Sequence, residues 1–149
     1  MMLDPEMLKI KIKAGKEYDI DLNEVLTVDE HNLNRAYVEQ AALYAWWSAA
    51  RAIASKYSAQ LKKKLDLRRS ELARNLRKES DESLLRWTLS DIEARILADD
   101  QYGLLADKLI EAQYHEQLLT GVCEALDQRK EMLISLGAQM RTEARQDLG

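Results

Sequence analysis

Ten lysines and arginines fall between Arg51 and Lys78, against two acids, Asp66 and Glu71. Eight of them, Lys62, Lys63, Lys64, Arg68, Arg69, Arg74, Arg77 and Lys78, lie within seventeen residues. The chemistry open to such a block is phosphate binding, in which cationic side chains displace condensed counterions whatever the base sequence. The segment carries +8 in a chain whose formal net charge is −4, with −4 on residues 1–50 and −8 on residues 79–149. Its counterpart is therefore the acidic remainder of the protein, a membrane surface or a nucleic acid.

No other group of residues has the spacing of a reaction site. The sequence contains no glycine-rich phosphate loop, no cysteine pair and no His-Glu metal spacing. His31 and His115 stand alone in sequence and read as solvated or satisfied histidines. Asp99 and Asp100 form a carboxylate pair, but they fall where one helix ends and another begins, so capping and dipole complementarity explain them. The lone Cys123 reads as a small buried apolar residue. A protein that is not an enzyme, with no metal and no cofactor, is expected.

The elements that must present the basic block are helical. One Pro, five Gly and no Phe among 149 residues favour helices, and the length predicts a single domain. A single cysteine fits a reducing compartment. No apolar run approaches the ~18 residues that span a bilayer, and the N-terminal "MMLDPEMLKIKIK" lacks a secretion-signal pattern. A cytoplasmic chain is expected. Residues 1–22 read as an extended, β-like arm, because "LKIKIK" and "YDIDL" alternate polar and apolar and "AGKE" suits a turn.

A long basic helix is expected over 28–78. Thr27 and Glu30 have capping-box spacing, and no Pro or Gly follows as far as Lys78. Leu33, Tyr37, Gln40, Leu43, Trp47, Ala50, Ala54, Tyr57, Leu61, Leu65, Leu72 and Leu76 make a stripe at spacings mostly of three and four, with Gln40 its one polar member. Residues 79–101 read as a linker and a short helix, opened by a second capping box at Ser90 and Glu93. A C-terminal helix is expected over 102–145. In it Leu105, Ala112, Leu119, Leu126, Leu133 and Met140 repeat every seven residues, and Gly121 and Gly137 mark close crossings or kinks. The fold class is mainly α: a long helical hairpin with a short third helix and the β-like arm. Leu43, Trp47, Tyr57, Leu61, Leu65, Leu126 and Leu133 are assigned to core or oligomer packing. Stripes this long predict a subunit that associates.

On a helical wheel, Leu61, Leu65, Leu72 and Leu76 fall within an arc of about 60°, and the basic residues take up most of the remaining circumference. Cations spread around a helix suit non-specific strand binding more than readout of bases in a groove. A membrane would need the apolar stripe left exposed, and here it is committed to packing. Of the aromatics upstream, Tyr57 and Trp47 read as core, and Trp46 is the candidate for stacking on a base.

"LYAWW", the continuation "QLKKKLDLRRSELARNLRK" and the last third "LSDIEARILADDQYGLLADKLIEAQYHEQLLTGVCEALDQRKEMLISLG", with "ALD" followed closely by basic residues, resemble the phage UvsY-type recombination mediators in pattern, order and length. The resemblance covers residues 20–140. It implies a small helical protein that forms a closed homo-oligomeric ring of roughly six or seven subunits. It also implies binding of single-stranded DNA, contact with a strand-exchange recombinase and its single-strand-binding protein, and loading of that recombinase. The DNA surface it implies is the basic helix from Lys62 to Lys78. The "KIKIKAGKEYDIDL" segment is longer and more strand-like than the family pattern. The competing function is a structural or adaptor coiled-coil protein that binds no nucleic acid.

Overall fold

A computed structural model of the chain describes residues 8–13 and 16–148. It is mainly helical. β1 (Leu8–Lys13) and β2 (Lys16–Ile20) precede α1 (Leu22–Leu26), α2 (Leu33–Glu82), α3 (Leu89–Leu97) and α4 (Asp100–Asp147). Residues 1–7 of the arm and the Ala14–Gly15 pair in the expected turn lie outside the described residues. The chain divides into two compact units, Met1–Ala54 with His115–Gly149, and Ser55–Tyr114. Each long helix supplies a segment to each unit.

In the first unit, the alternation seen in the sequence sorts the hairpin's faces. β1 and β2 pair antiparallel, with Ile10 opposite Tyr18 and an irregularity between Lys11 and Lys13. Ile10 and Ile20 are buried, and Lys11, Glu17 and Asp19 are exposed. A two-stranded ribbon is marginal in water on its own. This one is anchored by burying Ile10 and Ile20 with Trp47, Ala50, Ala54, Leu119, Val122, Cys123 and Leu126. Leu43, one of the expected packing residues, is partly buried against that cluster. The Lys11 N–H also donates to Nδ1 of His115 on α4 at 3.2 Å, so His115 is a buried, satisfied histidine.

The segments of α2 and α4 in this unit run antiparallel. The Tyr37 hydroxyl donates to the Leu133 carbonyl, and Gln40 Nε2 donates to the Leu126 carbonyl at 2.8 Å. Gln40 Oε1 accepts from the buried Arg129. The polar member of the stripe thus joins a backbone carbonyl on the facing helix to a buried guanidinium. Gly137 allows a close approach: a Cβ there would stand 2.5 Å from the Tyr37 hydroxyl. Gly121 has nothing within 4 Å of that position, so no close crossing occurs there. The heptad seam is buried at Ala112, Leu119, Leu126 and Leu133 and ends before Met140, which is exposed.

In the second unit, Leu61, Ile92, Ile96 and Ala112 are buried, with Tyr57, Leu65, Leu72, Leu76, Leu105 and Leu109 half-buried.

Both expected capping boxes were misplaced. Thr27 closes α1 instead of opening a helix, its N–H donating to the Asn23 carbonyl at 2.9 Å. α2 begins six residues later at Leu33, where Asn32 Oδ1 accepts the Arg35 N–H at 3.4 Å. α3 is opened by Thr88 and Asp91, not Ser90 and Glu93. Thr88 Oγ1 accepts the Asp91 N–H at 3.2 Å, and Asp91 Oδ2 accepts the Thr88 N–H at 2.9 Å. Ser90 lies inside the helix, and burial of Ile92 and Ile96 fixes the register. The five-residue α1, capped by Asp21 Oδ1 on the Asn23 N–H at 3.0 Å, was not foreseen.

Candidate nucleic-acid interface

The basic block lies on α2, mostly in the second unit, where the buried stripe turns its leucines inward and leaves the cations on the remaining surface. Lys62, Lys63, Lys64, Arg74, Arg77 and Lys78 are exposed. Among the described residues, none of these six has a carboxylate within ion-pair distance. Lys62 and Lys63 border a shallow recess with Ala59, Asp66, Leu67 and Ser70, and Leu67 is an exposed apolar side chain among these charges. On a helix rising 1.5 Å per residue, Lys63 and Arg74 stand about 16 Å apart on the outward side.

Arg68 and Arg69 differ from the other six. Arg68 grips Asp99 with two hydrogen bonds, Nε to Oδ2 at 3.1 Å and an Nη to Oδ1 at 2.9 Å. Arg69 donates to both oxygens of Glu93 at 2.6 Å and to the Tyr102 hydroxyl at 3.5 Å. Both were counted with the DNA surface from their residue type. In the structure these pairings fasten α2 to α3 and to the start of α4. Bidentate guanidinium–carboxylate geometry fixes orientation as well as charge.

Asp99 also accepts the Tyr102 N–H at 2.9 Å and so caps α4. The Arg68 hydrogen bonds, followed by that backbone bond, hold the Asp99 carboxyl below the usual carboxylate range. Asp91 is held low in the same direction by its two hydrogen bonds with Thr88. Asp99 and Asp100 are therefore helix-start residues, as their position in the sequence suggested. Nearby, Arg95 lies over the Trp87 ring, 3.8 Å from its centroid, and Ser80 Oγ accepts the Trp87 N–H at 2.8 Å.

Trp47 is buried, and Trp46 is half-exposed and meets Tyr18 edge-on with ring centroids 5.9 Å apart. Trp46 lies in the first unit and the six free cations in the second. Among the described residues, no cluster of His, Cys, Asp and Glu could hold a metal ion, and no helix is long and apolar enough to cross a membrane. Comparison with known proteins returns no matching family model, curated protein or solved structure.

Proposed function

We propose that this protein is a recombination mediator that binds single-stranded DNA without sequence preference through Lys62, Lys63, Lys64, Arg74, Arg77 and Lys78. The observation that carries the DNA-binding step is the exposure of these six side chains with no carboxylate partner among the described residues. A helix whose cations were balanced within its own unit would show them paired, as Arg68 and Arg69 are. Six free cations on a chain of net charge −4 favour an external polyanion. Their spread around the helix suits a flexible strand, which can wrap to reach them, more than a rigid duplex groove.

The mediator role rests on the resemblance to the UvsY-type proteins. In it the bound strand is handed to a strand-exchange recombinase that must displace a single-strand-binding protein, in the cytoplasm of the host cell. The protein contributes binding and no bond chemistry. The test is anisotropy of labelled oligo-dT at low and high salt, followed by recombinase filament formation on strand covered by single-strand-binding protein. Binding that weakens with salt and faster filament formation are expected. No binding at low salt overturns the proposal and leaves the structural adaptor in its place. Binding without faster filament formation removes the mediator step alone.

A further inference from the structure

Trp46, the aromatic that the sequence offers for stacking, lies in the first unit, apart from the free cations. The second unit has an aromatic of its own. Trp87 stands in the connection between α2 and α3 and is half-buried. Two contacts fix its position. Ser80, itself 4% exposed, accepts the Trp87 backbone N–H at 2.8 Å, and the Arg95 guanidinium lies over the ring, 3.8 Å from its centroid. A cation over a ring occupies one of its two faces. A recess of about 310 Å³ adjoins the ring. Its apolar walls are Trp87, Leu89 and Ile92, and its charged walls are Arg77, Asp81 and Arg86. Arg95 is not among them, so the recess opens on a part of Trp87 that the guanidinium leaves uncovered. Ligand pockets run from about 300 to 1,000 Å³, and this one is of a size for a single nucleotide.

The charges of the recess indicate its occupant. Asp81 Oδ1 lies 3.9 Å from an Nη of Arg86, so these two offset each other. Arg77 is exposed and, among the described residues, has no carboxylate at ion-pair distance. It belongs both to the recess and to the run of six free cations, with Arg74 three residues before it on the helix. A strand whose phosphates follow Arg74 and Arg77 therefore brings a base to the recess. We propose that Trp87 is a stacking site for one unpaired base of that strand, with Arg77 on the adjoining phosphate. The site rests on the DNA-binding reading and adds to it a base contact that phosphate binding alone does not supply. Every base has a π-face, so the contact tolerates any sequence. It also selects single strands, because a duplex keeps its bases stacked and paired, whereas cations alone bind the phosphates of either form.

The test is anisotropy of labelled oligo-dT and of an abasic strand with the same number of phosphates. Trp87→Leu keeps apolar bulk beside Arg95 and removes the aromatic face. It should bind oligo-dT about five- to hundredfold more weakly than wild type, the loss expected for one stacked base. Its salt slope should be that of wild type, because no ion contact is removed. On the abasic strand it should match wild type. Trp87→Phe, which keeps a ring, should lie between the two on oligo-dT. Oligo-dT should also quench part of the tryptophan fluorescence of wild type, and Trp87→Phe should lack that part. If Trp87→Leu loses helicity by circular dichroism, this quenching comparison decides alone. A wild type that binds neither strand at low salt overturns the DNA-binding reading and the stacking site with it. Three results overturn the stacking site and leave phosphate binding in place: equal binding of oligo-dT by wild type and Trp87→Leu, an equal loss on the abasic strand, or the same quenching in Trp87→Phe as in wild type.

Discussion

The two halves of α2 bury one stripe and show solvent two different faces. From Gln40 to Ala50 the helix carries no charge and its outward side is largely apolar, and from Lys62 to Lys78 the outward side is mostly basic. The inward residues hardly distinguish the halves, with Trp47, Ala50 and Ala54 in one and Leu61, Leu65 and Leu72 in the other. Packing therefore accounts for the inward stripe in both halves and for neither outward face. An isolated exposed apolar side chain is ordinary, but a contiguous uncharged face is a feature of an interaction surface. The same holds for a run of cations without intramolecular partners.

Substitutions on the inward side should have the largest effect, wherever they fall. Trp47→Ala should destabilise the fold by about 3–5 kcal/mol, since a 4%-exposed ring leaves a cavity, and urea unfolding measures this. Trp46→Ala should cost clearly less, because half of that ring is already in water. If the two cost the same, inward and outward sides are not the distinction drawn here.

Gln40→Leu should be next in size. It keeps the bulk and leaves Arg129 and the Leu126 carbonyl without their partner. Hydrogen bonds to charged groups are worth about 1.5–3 kcal/mol, so a loss in that range is expected in urea unfolding. Asp99 supplies a pH test within the second unit. Its folded carboxyl lies below the usual range, so its contribution is fully present above the unfolded value of about 3.9. That contribution is lost as pH falls from there through the lowered folded value. Asp99→Asn should flatten the acid limb of helicity followed by circular dichroism. The smallest effect belongs to Lys62→Ala/Lys63→Ala, whose melting temperature should barely move, because changes at exposed, unpartnered sites stay within about 0.5 kcal/mol.

How much of this was legible in the sequence depended on the range of the interaction. The arm, the two long helices and most of the inward stripe follow from short-period patterns and appear in the structure, with Trp47, Leu61, Leu126 and Leu133 buried, Leu43, Tyr57 and Leu65 half-buried, and the stripe member Tyr37 exposed. Helix starts were less legible. Ser90–Glu93 and Thr88–Asp91 both have the three-residue spacing of a capping pair, and the burial of Ile92 and Ile96 goes with the second. The fate of Arg68 was not legible at all, because Asp99 lies 31 residues away and nothing local distinguishes Arg68 from Arg74. Gln40 stood out as an anomaly in an apolar stripe, and that anomaly was the signal of its partner Arg129. The uncharged run "QAALYAWWSAA" was visible too, but which of its residues face outward became clear only with the buried side of α2 defined.

The central claim is that the free cations of the second half bind a strand while the paired ones hold the fold. The most direct measurement is the slope of log K against log salt for oligo-dT and for a mixed sequence. It compares wild type with Lys62→Ala/Lys63→Ala/Lys64→Ala, at equal helicity and equal mass. Each phosphate neutralised on a single strand contributes about −0.7 to that slope. The triple variant should bind both strands more weakly and with a shallower slope, by the same factor on each sequence. A triple variant with the wild-type affinity and slope, or a wild type that binds neither strand at low salt, would contradict the account.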